Sequence, residues 1–448
     1  MATLTSRLAS IISSLQGMRT AIINKGQSVP EGTPIADWAA KIEAIEIGVM
    51  VTGKTIVSGT SSEAITKGDT VVREFNSGIE GSLTQLSNPN VLPTGLGRDV
   101  SISNDGIYIA VAHTTSPYIT LYKRSGDTIT KLANPDVLPG GTGISCTFSK
   151  DGVYLCVGHQ GSPYTTVYKR TGDTFTKLAN PSTPFMDTFQ RSAFSSDGTY
   201  LVGTYMSSPY LYIYKRSGDT FTKLSNPATL PTGLSTGCAF SPDDTYLAIA
   251  HSTSPYITIY KRSGDTFTKL SNPSSLPTGQ GYECAFSQNG KYLAVTHATS
   301  PYVTVYSRSG DVFTKLANPS NLPPNTGISC AFSSDSLYLW VGCSTTSPYQ
   351  ILYKIVNDVL TKINSSAFSS DVTGIDFSGD SSIIVISNFT SPYIFAYKAV
   401  SSITVSKALN LYENVIGASD IGIANTDAAS GATVEMTSII RNPSNYPV

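Results

Sequence analysis

The stretch CAFSPDDTYLAIAHSTSPYITIYKRSGDTFTKLSNP, from Cys238 to Pro273, decides the fold. It contains four short runs that read as strands, namely CAFS, YLAIAH, YITIYKR and FTKL. The second and third runs alternate with a period of two residues, which is typical of β-strands. Ser263, Gly264 and Asp265 form a turn signal between the third and fourth runs. The stretch therefore predicts four consecutive antiparallel strands.

This unit recurs along most of the chain. The tripeptide Ser-Pro-Tyr occurs seven times, and its successive prolines lie 46, 46, 46, 46, 47 and 44 residues apart. Four strands repeated every 40–45 residues or so are typical of a β-propeller blade. A β-sandwich is the competing fold, but it does not explain a strict period. We therefore predict a mainly β protein with a seven-bladed β-propeller. The prolines are Pro117, Pro163, Pro209, Pro255, Pro301, Pro348 and Pro392.

Composition and charge exclude two classes of protein. Of 448 residues, 40% are hydrophobic and 14% are charged, and the net charge is −1. A long basic surface for nucleic acid is therefore not expected. No apolar run approaches the roughly 18 residues of a membrane span, and the first residues do not read as a signal peptide. We expect neither nucleic-acid binding nor membrane insertion.

Antiparallel pairing fixes which loops share a face of the ring. With the strands of a blade named a to d from the axis outward, the d–a and b–c loops share one face, the loop face. The a–b and c–d turns share the other, the turn face. The Asn-Pro-x-x-Leu-Pro and Ser-Pro-Tyr loops make the loop face neutral and aromatic, whereas the turn face is expected to hold most of the charge. Ser82–Pro89 copies a d strand but precedes the first a strand, so we predict that it closes the ring beside the last c strand.

The repeat and its flanks resemble known families. The spacing and pattern over residues 79–401 resemble bacterial and phage propellers distantly related to WD-repeat proteins, although the WD dipeptide is absent. Ser62–Val72 and Ile421–Val434 resemble the two hairpins of a small β module found in phage tail fibres and other virion proteins. That resemblance implies a small β domain, residues 47–78 and 402–448, with the propeller inserted in one loop. Two unrelated linkers are the alternative.

Residues 1–46 carry the only helical pattern. Apolar residues at steps of four and three form a heptad seam, and a second short amphipathic helix follows. The segment also resembles the N-terminal segments of phage tail and fibre proteins, which attach or oligomerise the rest. We expect it to contact other virion proteins and to form a homo-oligomer, for which the heptad seam is compatible with a trimer. A self-contained helical hairpin is the alternative. The seam residues are Leu4, Leu8, Ile11, Leu15, Met18 and Ile22.

Histidine and cysteine follow the repeat rather than forming a cluster. The four histidines share one repeat position, whereas the ligands of one metal ion must converge within about 2.0–2.3 Å of it. We therefore predict that each histidine hydrogen-bonds the backbone of its b–c loop, with a polar ligand contact as the alternative. No Cys-x-x-Cys occurs among six cysteines, so we expect neither a zinc site nor disulfides, in agreement with a reducing cytoplasm. The histidines are His113, His159, His251 and His297.

Catalysis is not expected. The chain has no nucleophile elbow, His-Glu-x-x-His pair, P-loop or dinucleotide fingerprint. We predict that the protein is not an enzyme and has no cofactor. The tyrosine of each Ser-Pro-Tyr is expected to pack between blades, with an aromatic platform for sugar rings as the alternative.

Residues that break the repeat are the candidate site. We expect them to line a ligand patch on the loop face, with drift of a tolerant loop as the alternative. They are Arg98 and Asp99 in blade one, Phe185, Met186, Phe189, Gln190 and Arg191 in blade three, and Trp340 in blade six.

The resemblance also implies a function. It indicates a bacteriophage virion structural protein, a tail fibre or head fibre, that is assembled in the host cytoplasm. The propeller would be displayed for host-surface adsorption, by binding a surface glycan or a protein. A capsid or tail decoration protein with no receptor role is the alternative.

Overall fold

A computed structural model of the chain describes residues 56–61, 70–75, 82–183, 189–344, 347–363, 370–400, 403–407, 420–424 and 433–439. Within these ranges the secondary structure is β-strand, with no helix. The chain divides into two compact units, Phe75–Ser402 and the flanking Met1–Glu74 with Ile403–Val448. The helices predicted in residues 1–46 lie outside the described residues.

The larger unit is a seven-bladed β-propeller. It consists of seven four-stranded antiparallel sheets, and each innermost strand contacts those of the blades before and after it until the last contacts the first. The predicted fold class is therefore confirmed. The a strands of blades one to seven are β4 (Gly97–Ile102), β8 (Gly143–Phe148), β12 (Phe189–Phe194), β16 (Ser235–Phe240), β20 (Gly281–Phe286), β24 (Gly327–Phe332) and β28 (Val372–Phe377).

The outer strands follow the same order in every blade. The b strands are β5 (Tyr108–His113), β9 (Tyr154–His159), β13 (Tyr200–Tyr205), β17 (Tyr246–His251), β21 (Tyr292–His297), β25 (Tyr338–Cys343) and β29 (Ile383–Asn388). The c strands are β6 (Ile119–Ser125), β10 (Thr165–Thr171), β14 (Leu211–Ser217), β18 (Ile257–Ser263), β22 (Val303–Ser309), β26 (Gln350–Val356) and β30 (Ile394–Val400). The d strands are β7 (Thr128–Lys131), β11 (Thr174–Lys177), β15 (Thr220–Lys223), β19 (Thr266–Lys269), β23 (Val312–Lys315), β27 (Val359–Ile363) and, for blade seven, β3 (Ser82–Gln85).

Blade seven closes the ring with a strand from the other end of the chain. β3 pairs antiparallel with β30, with Ser82 opposite Val400 and Gln85 opposite Tyr397. The predicted closure is confirmed. Because Ser82 and Val400 lie at the turn-face end of this pair, the propeller unit begins and ends at the turn face.

The core lies between neighbouring blades. Every residue of each b strand is buried. Between blades one and two, Ala110 and Leu121 pack in one cluster with Leu155 and Val157. Because a fully buried aliphatic side chain contributes about 1.5–3 kcal/mol, these inter-blade layers supply most of the favourable energy of the ring.

Polar contacts join the blades at the turn face. The hydroxyl of Tyr108 in blade one donates to Asp173 of blade two at 2.7 Å, and the Lys123 ammonium donates to the same carboxylate at 2.9 Å. The Arg170 guanidinium lies 4.2 Å from the centre of the Tyr108 ring. Similar contacts recur in the following blades, so the Gly-Asp of the c–d turn joins each of blades two to five to the blade before it.

Blade five keeps this contact with a different lysine. Its c strand has Ser307 where the preceding blades have lysine. Lys291, at the start of the b strand, donates instead to Asp358 of blade six at 2.5 Å. The inter-blade ion pair is therefore retained although its cation comes from another strand.

The smaller unit contains a closed five-stranded barrel. Its strands are β1 (Ile56–Ser61), β2 (Thr70–Phe75), β31 (Ile403–Lys407), β32 (Asp420–Ala424) and β33 (Thr433–Ile439), in the order β1-β31-β2-β32-β33. β1 pairs with β33, placing Val57 opposite Met436, and β2 pairs with β32, placing Val71 opposite Gly422. Segments on both sides of the propeller therefore share one sheet.

Candidate functional site

A cavity of about 350 Å³ lies on the propeller axis. All seven a strands line it, from their third residues, such as Asp99, to the a–b turns, such as Asn104. Because an a strand runs from the loop face to the turn face, this axial cavity occupies the half of the ring that ends at the turn face.

Three charged residues form one end of the axial cavity. Asp99, Arg191 and Glu283, the axial cluster, all occupy the third position of their a strands, in blades one, three and five. Arg191 Nε donates to Glu283 Oε2 at 2.6 Å, and Arg191 Nη1 lies 3.6 Å from Asp99 Oδ2. The three side chains are only 12–16% exposed. The other blades have small residues at this position, namely Ser145, Gly237, Ser329 and Gly374.

Arg191 also bonds to backbone across the axis. Its Nη1 donates to the carbonyl of Ile144 at 3.3 Å, and its Nη2 donates to the carbonyl of Thr373 at 3.0 Å. One side chain of blade three therefore contacts blades one, two, five and seven.

Two glycines make room for the carboxylates. A Cβ at Gly374 would lie 2.6 Å from Asp99 Oδ1, and one at Gly237 would lie 2.8 Å from Glu283 Oε1. Real Cβ atoms do not approach so closely, so the alternation of large and small residues around the axis is a packing requirement.

A fourth carboxylate lies further along the axial cavity. Asp376 occupies the fifth position of its a strand, where the other blades have Ala, Ser or Thr. Its Oδ2 accepts from Ser101 Oγ at 3.0 Å and from the Ile102 amide at 2.9 Å. Burial raises the pKa of Asp376 to about 6. Burial likewise raises the pKa of Glu283 to about 7, although the Arg191 charge opposes the increase.

The structure brings three of the predicted site residues together. Asp99 and Arg191 belong to the axial cluster. Arg98 precedes Asp99 on the loop-face side, and its guanidinium lies 5.7 Å from the centre of the Phe389 ring. Burial, together with the Arg191 charge, lowers the pKa of Arg98. Of the eight predicted residues, Asp99 and Arg191 therefore lie at the axis and Arg98 lies beside them.

The predicted aromatic residues are not surface residues. Phe189 is fully buried and fills the space over Gly158 of blade two, and Trp340 is buried near Phe377 between blades six and seven. The prediction that these rings line a ligand patch is wrong, because both serve inter-blade packing. Gln190 is half-buried, and its amide nitrogen donates to the Phe189 carbonyl at 3.0 Å. Phe185 and Met186 lie outside the described residues.

Sequence reasoning missed Glu283 and Asp376. Both were visible as charges at repeat positions where most blades have small uncharged residues. An alignment of the seven a strands, position by position, identifies Glu283 together with Asp99 and Arg191.

Each histidine bonds a side chain in its own blade. His113 Nε2 lies 2.9 Å from Thr120 Oγ1, and His251 Nε2 lies 3.0 Å from Thr258 Oγ1. The expected partner was b–c loop backbone, but the close partner is this threonine of the neighbouring c strand. Loop backbone contributes to the electrostatics, since an interaction with Thr115 partly opposes the fall in pKa of His113. Burial is the larger effect and lowers the pKa of all four histidines to about 4.

The cysteines are buried thiols. All six are free, and burial raises the pKa of Cys156 to about 12, so its thiol stays protonated at neutral pH. Across the described residues, no group of three or more His, Cys, Asp or Glu side chains is placed to hold a metal ion.

The Ser-Pro-Tyr loops have one conformation throughout the ring. Each Ser–Pro bond is cis, and the following tyrosine has a positive φ, such as 67° at Tyr118. The Tyr118 amide donates to the Thr115 carbonyl at 2.8 Å, so this tyrosine belongs to the turn and precedes the c strand. Its side chain is half-buried.

The loop face carries more positive charge than the sequence predicts. The last lysine of a d strand reaches the loop face and donates to the asparagine that follows, as Lys177 does to Asn180 at 2.7 Å. Among the described residues of the d–a and b–c loops, the acidic side chains are Asp136 and Asp371. The expectation of a neutral loop face is therefore wrong. The lysines with this bond are Lys131, Lys177, Lys223, Lys269 and Lys315.

Known structures share the fold. The propeller domain of Cps50 (Swd1) from Myceliophteria thermophila is 9% identical, with a TM-score of 0.54 over 71% of this chain and 100% of that chain. Hydrazine synthase from Kuenenia stuttgartiensis is 12% identical, with a TM-score of 0.54 over 71% of this chain and 98% of that chain. No protein-family model matches the sequence, and no curated protein matches it.

The likeness shows the β-propeller fold alone, because the identities are low. Within the described part of the chain, no helix has the length and hydropathy needed to cross a membrane.

Proposed function

We propose that this chain is a bacteriophage virion protein, a tail fibre or head fibre, whose propeller binds an anionic glycan on the host surface. The observation that carries the proposal is the pairing of Ser82 with Val400, which puts both ends of the propeller unit at the turn face. The loop face therefore has no chain connection to the rest of the protein. A face of this kind suits display to an external partner, and the resemblance of the flanking segments to virion proteins supplies the setting.

The charge of the loop face supports an acidic ligand. Its lysines are bonded to neutral asparagine oxygens, as between Lys223 and Asn226 at 3.0 Å, so their charge is not cancelled by a carboxylate in that bond. A surface with excess positive charge attracts polyanions, and this attraction weakens as salt rises. Exposed apolar side chains at Val91, Val137 and Leu322 lie in the same loops and offer contact for the apolar parts of a sugar.

Binding without cleavage is the role that the geometry favours. Asp99 and Glu283 are both engaged by Arg191, and Asp376 accepts hydrogen bonds from Ser101 and Ile102. A glycosidase needs one carboxyl group as acid and another as base or nucleophile on either side of the bond that breaks. These carboxylates instead join strands around the axis, which supports a non-enzymatic function.

Oligomerisation would strengthen weak binding. In this proposal residues 1–46 attach the chain to other virion proteins and form a homo-oligomer, for example a trimer. Linked propellers raise the effective concentration of binding sites near a repetitive glycan. The cell would assemble the protein in its cytoplasm, and the finished protein would reside in the virion.

The test compares two faces with matched charge changes. The full-length protein is passed over immobilised acidic and neutral bacterial polysaccharides at several salt concentrations. Replacing Lys177 and Lys223 by Gln, the residue that β3 has at Gln85, should weaken binding about two- to thirtyfold, since each ion contact near the surface contributes roughly 0.2–1 kcal/mol. The control replaces Lys215 and Lys261 by Gln on the turn face and should change binding less.

Three results would contradict the proposal. Failure to bind any acidic polysaccharide would remove the receptor role and favour a decoration protein. Release of oligosaccharides from the bound polymer would show that the protein is an enzyme. A density map of the intact particle with the loop face buried against the capsid or tail would exclude adsorption through that face.

A further inference from the structure

The wall of the axial cavity has two chemically different sides. At the fifth position of the a strands, blades three to six all have alanine, whereas blades seven, one and two have Asp376, Ser101 and Thr147. One side is therefore apolar and the other carries a carboxylate and two hydroxyls. Phenylalanine follows in six blades, at Phe148, Phe194, Phe240, Phe286, Phe332 and Phe377, and these residues also line the cavity.

Negative charge exceeds positive charge around this space. The lining contains the carboxylates of Asp99, Glu283 and Asp376, whereas its cations are Arg191 and, at the exposed a–b turn, Lys150. Arg191 is shared by Asp99 and Glu283, and within the described residues Asp376 has no ion pair. Arg98 lies beyond the axial cluster, on the loop-face side. A carboxylate away from water is costly unless a cation or a proton neutralises it.

We propose that the axial cavity binds a small organic cation, a protonated amine on a neutral hydroxylated body such as an amino sugar. Its volume of about 350 Å³ lies in the range of small-molecule sites. Asp376 is the anchor for the ammonium group. A carboxylate can accept about four hydrogen bonds, and Asp376 accepts three, from Ser101 Oγ and from the amides of Ile102 and Phe377. One acceptor position is therefore left for the ligand.

The remaining contacts fit the same class of ligand. Ser101 and Thr147 present hydroxyls that can bond sugar hydroxyls, and the alanines opposite them accept an apolar ring face. A neutral sugar would meet the same walls but would leave Asp376 without a counter-charge.

Binding of a cation should release protons. The pKa of Asp376 is raised to about 6 and that of Glu283 to about 7, both chiefly by burial, so the empty cavity holds protons near neutral pH. An ammonium ion beside Asp376 lowers the pKa of that carboxyl group and displaces its proton to the solvent. The Arg191 charge lowers the pKa of Glu283 whether or not a ligand is bound, so it is not itself a source of released protons.

The test is calorimetric titration of the full-length protein with glucosamine at pH 6.5, against N-acetylglucosamine as the neutral counterpart. Glucosamine should bind, and N-acetylglucosamine should bind at least about thirtyfold more weakly, because loss of a partner to a desolvated charge has an effect of this size. Repeating the titration in buffers of different ionisation enthalpy should show proton release.

The chain provides a native model for the key variant. In blade one, Ser101 Oγ accepts from the Phe148 amide at 3.2 Å, as Asp376 accepts from Ile102. Asp376→Ser should therefore keep the inter-blade bond while reducing glucosamine affinity about thirtyfold. Asp127→Ser removes a charge at the turn face outside the cavity and should leave affinity unchanged. Ala239→Leu narrows the cavity without a charge change and should also reduce affinity, so the proposal remains testable if Asp376→Ser does not fold.

Equal binding of the two sugars, absence of glucosamine binding, or unchanged affinity in both cavity variants would overturn the proposal. Calcium chloride that binds alone and excludes glucosamine would do the same, in favour of a metal site. The result is independent of host adsorption, because the polysaccharide experiment reports on lysines of the opposite face.

Discussion

Removing Arg191 should destabilise the propeller far more than removing the whole axial cluster. Arg191→Ser leaves Asp99 and Glu283 close together with no guanidinium between them, in sites that are 12% and 14% exposed. Replacing all three residues by Ser gives every charged blade the residue that blades two and six already have at this position, Ser145 and Ser329.

The magnitude follows from the burial of the pair. Breaking a buried ion pair from one side costs about 3–5 kcal/mol, and the remaining exposure and partial protonation reduce this to about 2–4 kcal/mol at pH 8. In Arg191→Ser the folded-state pKa values of Asp99 and Glu283 rise further above their unfolded values. The folded state then binds more protons, so the cost should shrink as pH falls from 8 to 5. The triple variant should lie within about 1 kcal/mol of the parent, because replacing a whole buried ion cluster is often neutral.

Urea unfolding of the full chain, followed by circular dichroism at pH 8 and pH 5, measures both effects. The parent and the triple variant should unfold at similar urea concentrations, and Arg191→Ser should unfold earlier at pH 8 than at pH 5, relative to the parent. The reasoning is refuted if Arg191→Ser matches the parent at pH 8, or if the triple variant is no more stable than the single one.

Three further predictions concern the ring. Burial lowers the pKa of His251 to about 4, against 6.5 in the unfolded chain, so its contribution to stability is lost as pH falls from 6.5 to 4. In His251→Gln the free energy of unfolding should therefore fall less steeply with pH over that range. Equal slopes for the variant and the parent would contradict this. Deleting residues 82–89 should abolish cooperative melting of the propeller, and an unchanged melting curve would show that β3 does not close it. Lys291→Ser should lower the free energy of unfolding by no more than about 1 kcal/mol in thermal or urea unfolding, since its ion pair with Asp358 is exposed. Adding Ser307→Lys should restore the stability, because the other blades have lysine at that position. A double variant that is no more stable than the single variant would contradict this.

A strict sequence period predicts the fold because each blade packs against a blade of the same kind on either side, so the same residue types recur at the same positions. Four strands with turn signals at fixed offsets leave few arrangements, and Ser82–Pro89, a d strand out of order, reveals how the ring closes. The loop-face charge was missed for a different reason: Lys177 reads as a strand residue, and only the structure shows that the strand ends with its ammonium at Asn180.

The candidate site was only partly predictable, because a break in the repeat has two causes. Phe189 stands where four of the other blades have glycine, because Gly158 in the preceding blade leaves space for its ring. Such compensation across an interface is invisible within one repeat. Glu283 departs because its charge pairs with Arg191, 92 residues away in the chain. The residue types within one loop do not distinguish a packing substitution such as Phe189 from a charge that pairs across the ring such as Glu283. Aligning the equivalent positions of all seven blades does identify the charged residues.

The odd number of blades limits how large and small residues can alternate around the axis. Large and small residues can alternate around a ring without interruption only if the number of positions is even. With seven blades, one pair of neighbours must be alike, and here both are small, Ser329 and Gly374. The junction of blades six and seven is therefore the one place around the axis where two small residues are neighbours, which distinguishes this junction from the other six. Deleting blade two or four, or duplicating blade one, three or five, would place one large residue beside another, so the residues at the axis constrain the order of these blades in addition to the closing strand.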